Sequence, residues 1–213
     1  MDLTLDRVLP PNIDPLRVEA SQVWDSDLRI PAGSRVHVHA PSGSGKTTFV
    51  HLLYGLRRQY DGAYRVGSED TKTYDQSDWS RLRRSTLSVV FQDLRLFPAA
   101  TGWENIRLNV ELDPAVDAAG LRDMAERLGV GDKLHRPVNT LSQGERQRIA
   151  LIRALGQRFD WLLLDEPFSH LDEANINLAR QLLLERVEEE KAGLILAGLG
   201  FEYHVPNEIE LAL

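Results

Sequence analysis

The chain has 213 residues, 25 Lys and Arg against 32 Asp and Glu, a net charge of -7 and no cysteine. That length suits one ordinary domain, and an acidic balance argues against a dedicated nucleic-acid binder, whose affinity rests on Lys and Arg neutralising phosphates. Without cysteine there are no disulfides, thiolate metal ligands or Cys nucleophiles, which fits a reducing compartment. The N-terminus has neither a basic start nor a long apolar run, so no secretory signal is expected, and no stretch approaches the ~20 apolar residues of a membrane span.

In chain order, Leu3 to Leu9 alternates apolar and polar residues as a half-buried strand does, and "PPNIDP" breaks it. Val18 to Ile30 reads as a second extended stretch, leading through "PAG" into the short β-branched strand "RVHVHA". A Gly/Ser turn follows, and then a helix from Thr47 to Leu56, ending near Gly55. "DGAYRVG" reads as a turn and short strand, "WSRLRRS" as a basic helical turn, and "LSVVFQ" as a buried strand. Leu96 to Thr140 turns helical, with "GWENIRLNVEL" and "DAAGLRDMAERLGV"; Ser142 to Leu155 adds a helix with Ser142 as N-cap, so the helical insertion spans roughly 96–156. "FDWLLLDEP" and "GLILAGL" read as strands buried on both faces, separated by an amphipathic helix from Ile176 to Lys191, and "EIELAL" as a final edge. Strands alternating with helices indicate an α/β fold around a mostly parallel sheet.

The turn "APSGSGKTT" follows a strand and opens a helix, the context a phosphate-binding loop needs. Gly43 and Gly45 permit backbone conformations closed to residues with a Cβ, so successive N–H groups can turn inward around a phosphate, and the helix beginning at Lys46 adds its dipole. Ser42, Gly43, Ser44, Gly45, Lys46, Thr47 and Thr48 form the candidate nucleotide cradle, Thr48 chiefly as a helix-start residue. Lys46 can reach the β- and γ-phosphates, and the Thr47 hydroxyl suits Mg²⁺. The leading glycine of the motif is replaced by Ala40, a small residue at a strand end where positive φ is not required.

A second strand ends in Asp165 and Glu166, whose side chains point to opposite sides. Beside a phosphate loop, Asp165 is the candidate Mg²⁺ ligand and Glu166 the candidate group that orients or deprotonates an attacking water.

With "LSQGERQR" lying between these motifs, the chain resembles the ATPase subunits of ATP-binding cassette (ABC) transporters over nearly its whole length. "APSGSGKT" matches their Walker A loop, Phe91–Gln92 the Q-loop, Leu141–Glu145 the LSGGQ signature, "LLLDEP" Walker B and Ser169–Asp172 the D-loop. The run "VVFQDLRLFPAATGWENIRL" is similar to the branch serving lipoprotein release, macrolide efflux and cell division.

The resemblance implies a single nucleotide-binding domain over residues 1–213: a P-loop NTPase core, an N-terminal antiparallel β subdomain and an inserted α-helical subdomain. It implies ATP and Mg²⁺, with Lys46, Gln92 and Glu166 catalytic and Thr47, Gln92 and Asp165 near the metal. It also implies a second ATPase subunit, in a homodimer or a heterodimer, whose Ser142 and Gly144 complete the site across the interface. A membrane permease subunit would dock near the helical insertion, placing the chain at the cytoplasmic face of a membrane. The expected function is ATP binding and hydrolysis driving that subunit; the alternative is an ATP-dependent clamp or regulator with slow or absent turnover.

Three departures from the family pattern stand out. Gln143 and Glu145 replace the third and fifth signature residues. The adenine-stacking aromatic, placed by register at Leu9 or Pro10, is missing; Trp24 is a possible substitute, though packing against the sheet is the favoured reading. The family's switch histidine aligns with Leu199, just after Gly198, while His204 lies further on.

Overall fold

The computed structural model describes residues 1–39, 41, 43–108, 117–198 and 205–213. Two sheets organise them. The first is antiparallel, in the order β2-β1-β4-β5: β1 (Leu3–Leu9) lies between β2 (Asp27–Ile30) and β4 (Asp61–Val66), and β5 (Glu69–Asp70) pairs with β4. The second holds β6 (Leu87–Val90), β7 (Trp161–Asp165), β8 (Gly193–Gly198), β3 (Arg35–His39) and β9 (Ile209–Ala212) in the order β6-β7-β8-β3-β9. Every pairing in this second sheet is parallel, so its carboxyl ends line up along one edge, where α/β folds bind ligands.

The continuous apolar runs of β7 and β8 follow from burial on both faces. Trp161, Leu163, Ile195 and Ala197 enter a core shared with β1, β4 and α2 (Lys46–Leu53). Leu162, Leu164, Leu194 and Leu196 enter a second core formed with α5 (Ala118–Arg127), α6 (Gln143–Leu155) and α7 (Glu173–Glu190). Alternate residues thus serve different cores, and neither face can be polar. Glycine closes α2: Gly55 takes φ +72°, and a Cβ there would lie 2.1 Å from the Trp79 ring. Among the described residues no helix is long and apolar enough to cross a membrane.

The fold corrects several local expectations. Val18 to Ile30 is not continuously extended; only Asp27–Ile30 is strand, and Pro15–Ala20 forms a short helix, α1. Asp14 caps α1 by accepting from the Leu16 N–H, and Pro15 opens it, a start signal within a segment that otherwise reads as a strand break. The basic turn is a full helix, α3 (Gln76–Ser85), set by a reciprocal capping box between Asp75 and Asp78. The helix placed at Ile176 starts at Glu173, after Asp172 as its cap. In the insertion, α4 covers Gly102–Arg107, and the rest of "GWENIRLNVEL" from residue 109 lies outside the described residues.

Candidate nucleotide site

The loop after β3 leads directly into α2. Gly43 and Gly45 have φ +75° and +108°, as the sequence requires of an inward-turned cradle. Gly45 is the N-cap of α2, and a Cβ on it would stand 3.3 Å from Nε1 of Trp24. Trp24 is buried and packs edge-on against Phe49 at 5.9 Å between ring centroids, so it supports the loop from beneath and is not a stacking surface. The Ser44 hydroxyl donates to the Pro41 carbonyl (2.6 Å), which also accepts from Lys46 Nζ (3.2 Å). Ala40 and Ser42 lie outside the described residues.

Several of the expected groups converge on this loop. Lys46 Nζ is 3.7 Å from Glu166 Oε1. Gln92, just beyond β6, bridges two of them: its Oε1 accepts from the Thr47 hydroxyl and its Nε2 donates to Glu166 Oε2, both at 3.3 Å. Glu166 has φ +49°, with its N–H donating to Ala197 O on β8 and its carbonyl accepting from Gln147 Nε2 on α6. Gln147 Oε1 in turn accepts from the His170 N–H, tying the Ser169–Asp172 turn to the Glu166 backbone; sequence reading passed over Gln147, a polar residue within an otherwise apolar helix face.

Asp165 is nearly inaccessible, and neither carboxylate oxygen has a hydrogen-bond partner. Burial pushes its pKa up; the Glu166 charge adds to the rise, while the Thr47 hydroxyl and Lys46 oppose it. An orphaned buried carboxylate beside a phosphate loop fits a hard divalent cation. Mg²⁺ fits a single protein carboxylate of this kind, because it completes its shell with phosphate oxygens and water.

These groups open into a cavity of about 370 Å³, lined by Gly43–Thr48 and by Gln92 and Glu166. Its remaining wall is α1 and the turn before it: Asn12, Ile13, Asp14 and Arg17, none of which sequence reading selected. The positions considered for an aromatic do not reach it. Leu9 packs on the core and Pro10 is buried, and no aromatic side chain is among the described residues lining the cavity.

Ser142 and Gly144 are not in this cavity. Ser142 caps α6 in a second reciprocal box: its hydroxyl oxygen accepts from the Glu145 N–H, and the Glu145 carboxylate accepts from the Ser142 N–H (2.8 Å). That bond holds the Glu145 carboxyl below its usual range and gives this signature variant a structural role. Gly144 sits close to the turn at His170, where a Cβ would stand 3.0 Å from the carbonyl oxygen. Leu199 and His204 lie outside the described residues; β8 ends at Gly198, paired with His39 at the start of the loop.

A family model described as "ABC transporter" matches residues 23–169. The lipoprotein-releasing system ATP-binding protein LolD of Legionella pneumophila (strain Paris) is 36% identical over 174 residues, 80% of this chain and 76% of that protein. The macrolide export ATP-binding/permease protein MacB of Nitrosomonas europaea is 36% identical over 162 residues; these are 75% of this chain and only 25% of that longer protein. The solved structure of a dimeric bacterial ABC transporter cassette superposes with a TM-score of 0.83 at 23% identity, covering 99% of this chain and 94% of that one.

Proposed function

The chain belongs to the ABC transporter family, and from that premise we propose that it is the ATP-binding and hydrolysing subunit of a transporter, dimerising around ATP to drive a separate membrane subunit. The observation that carries this reading is the convergence of Lys46, Thr47, Gln92 and Glu166 on one loop-bounded cavity, with the buried Asp165 carboxylate electrostatically coupled to Thr47, Lys46 and Glu166 behind it. Backbone N–H groups of the loop and the start of α2 receive the phosphates, and Lys46 neutralises their charge. Thr47, Asp165 and Gln92 would hold Mg²⁺, which when bound would supply further neutralisation of the phosphate oxygens. Glu166, fixed by Gln92 and by its backbone bonds to β8 and α6, orients the attacking water and takes its proton.

Ser142 and Gly144 lie away from the cavity and at the start of a 13-residue helix, which suits presentation to a nucleotide held by a second ATPase subunit. The dimeric cassette that superposes on this chain supports that arrangement, as a homodimer or a heterodimer. The membrane subunit is expected at a cleft of about 630 Å³ where Tyr54, Arg83 and Phe91 meet Leu108 and Arg153 of the helical insertion, on the cytoplasmic face of the membrane. Phe91 in the cleft wall directly precedes Gln92, whose amide donates to Glu166, so the cleft and the site share one short segment.

The test is ATPase activity of the purified chain, alone and with its membrane subunit, beside Glu166→Gln. Turnover well above the variant supports the reading; turnover equal to the variant in both settings overturns hydrolysis. It would favour a nucleotide-controlled clamp, the reading that Leu199 in place of a switch histidine supports.

A further inference from the structure

We propose that Arg17 is a phosphate-binding residue of the nucleotide site, reaching in from α1 to add a cation at the rim that the loop itself does not supply. The proposal rests on the nucleotide reading of the cavity and extends it to a residue outside every recognised motif.

The placement is built and not incidental. Asp14 caps α1, Pro15 fixes its first turn, and the helix stands at the mouth of the cavity. From it the Arg17 guanidinium donates to the carbonyl of Gly43, in the phosphate loop itself. Arg17 is exposed and makes no ion pair among the described residues, so its charge has only a neutral acceptor. The other charged groups lining the cavity are Lys46, Glu166 and Asp14; Lys46 faces Glu166, and the Asp14 side chain is engaged by the Leu16 N–H. A guanidinium presents five donors in a planar fork suited to phosphate oxygens, and its bonds to a charged acceptor are about twice as strong as those between neutral groups. A triphosphate in the cradle places such oxygens beside Gly43, and transfer of Arg17 from the carbonyl to phosphate follows.

The experiment is equilibrium binding of ATP, GTP and inorganic tripolyphosphate to the intact protein and to Arg17→Ala, Arg17→Gln and Arg17→Lys, with melting temperature read on each without ligand. Arg17→Ala is expected to weaken all three ligands by about tenfold, equivalent to about 1.4 kcal/mol. Arg17→Gln keeps an amide donor for Gly43 but no charge, and is expected to bind as weakly as Arg17→Ala. Arg17→Lys restores part of the affinity. Affinity in Arg17→Gln equal to the unmodified protein, or a melting loss in Arg17→Ala that Gln reverses, overturns the proposal in favour of a loop brace. Unchanged affinity in Arg17→Ala, or a loss confined to one base, overturns it as well. Failure of the unmodified protein to bind any of the three removes the nucleotide reading itself, a result distinct from these.

Discussion

Lys46 and Glu166 face each other across the phosphate loop at 3.7 Å, with side chains only 5% and 16% exposed. In this state the two charges of the candidate chemistry answer one another, and an incoming phosphate must compete with the carboxylate for the ammonium. Glu166→Gln removes the competitor and the proton acceptor while keeping the shape. It is expected to lower ATP turnover by at least about 100-fold, within the usual range for a general base. Nucleotide affinity should be retained or increased. Lys46→Ala has the opposite signature: a saturating ligand at about 100 times its Kd stabilises by about 2.7 kcal/mol, and that thermal shift should vanish. A Glu166→Gln variant that loses the shift, or a Lys46→Ala variant that keeps it, contradicts the assignment.

Asp165 makes a prediction about pH. Its folded pKa is raised above the ordinary 3.8, chiefly by burial, so the folded state holds the proton more tightly than the unfolded chain does. Its contribution to stability is therefore complete below the unfolded value and is lost as pH rises through the folded one. In nucleotide-free protein at neutral pH, Asp165→Asn removes the desolvated charge and should stabilise the fold. Urea melts at pH 8 and pH 5 should show this gain shrinking toward the acid side. A gain independent of pH would assign it to packing and not to charge.

Ser142→Ala deletes the hydroxyl that receives the Glu145 N–H at the start of α6. The expected loss is about 1 kcal/mol, or about 2–4 °C in melting temperature for a chain of this size. If Ser142 also contacts nucleotide across a dimer, ATP-dependent crosslinking in a Glu166→Gln background should fall much further than this stability loss explains. Equal losses would confine Ser142 to capping.

Gly55→Ala places a methyl group 2.1 Å from Trp79 at a residue with φ +72°. Overpacking and left-handed strain together should cost about 2–4 kcal/mol, measured by urea unfolding. Retained stability would mean that α3, which carries Trp79, shifts freely.

The phosphate loop, the two-faced strands and the carboxylate pair were legible because each is a short-range pattern. Gly43 and Gly45 announce their conformation, and Leu162 to Leu164 announce burial, within a few residues. Helix α1 was not legible: six residues leave no hydrophobic period, and the Asp14–Pro15 start signal lies inside a run of prolines. The same brevity hid Arg17, whose significance depends on a contact 26 residues away in sequence. The Asp75–Asp78 box was a local signal present in the sequence, overlooked because the turn it caps is basic and carries few apolar residues. Gln147 was invisible for another reason, since nothing in a helical pattern reports that its amide meets the Glu166 carbonyl and the His170 N–H.

Strand β7 sends Trp161 and Leu163 to one core and Leu162 and Leu164 to the other, and ends in Asp165. Four consecutive residues therefore serve as a common wall for both halves of the molecule. Neither half can loosen without withdrawing support from the other, so heat should melt them in one calorimetric transition, with the calorimetric and van't Hoff enthalpies agreeing. A volume change in either core also reaches the reactive end of the strand, because a close-packed wall transmits strain. Substitutions far from the loop, at Phe159 or Leu53 for example, should therefore alter turnover before they alter solubility.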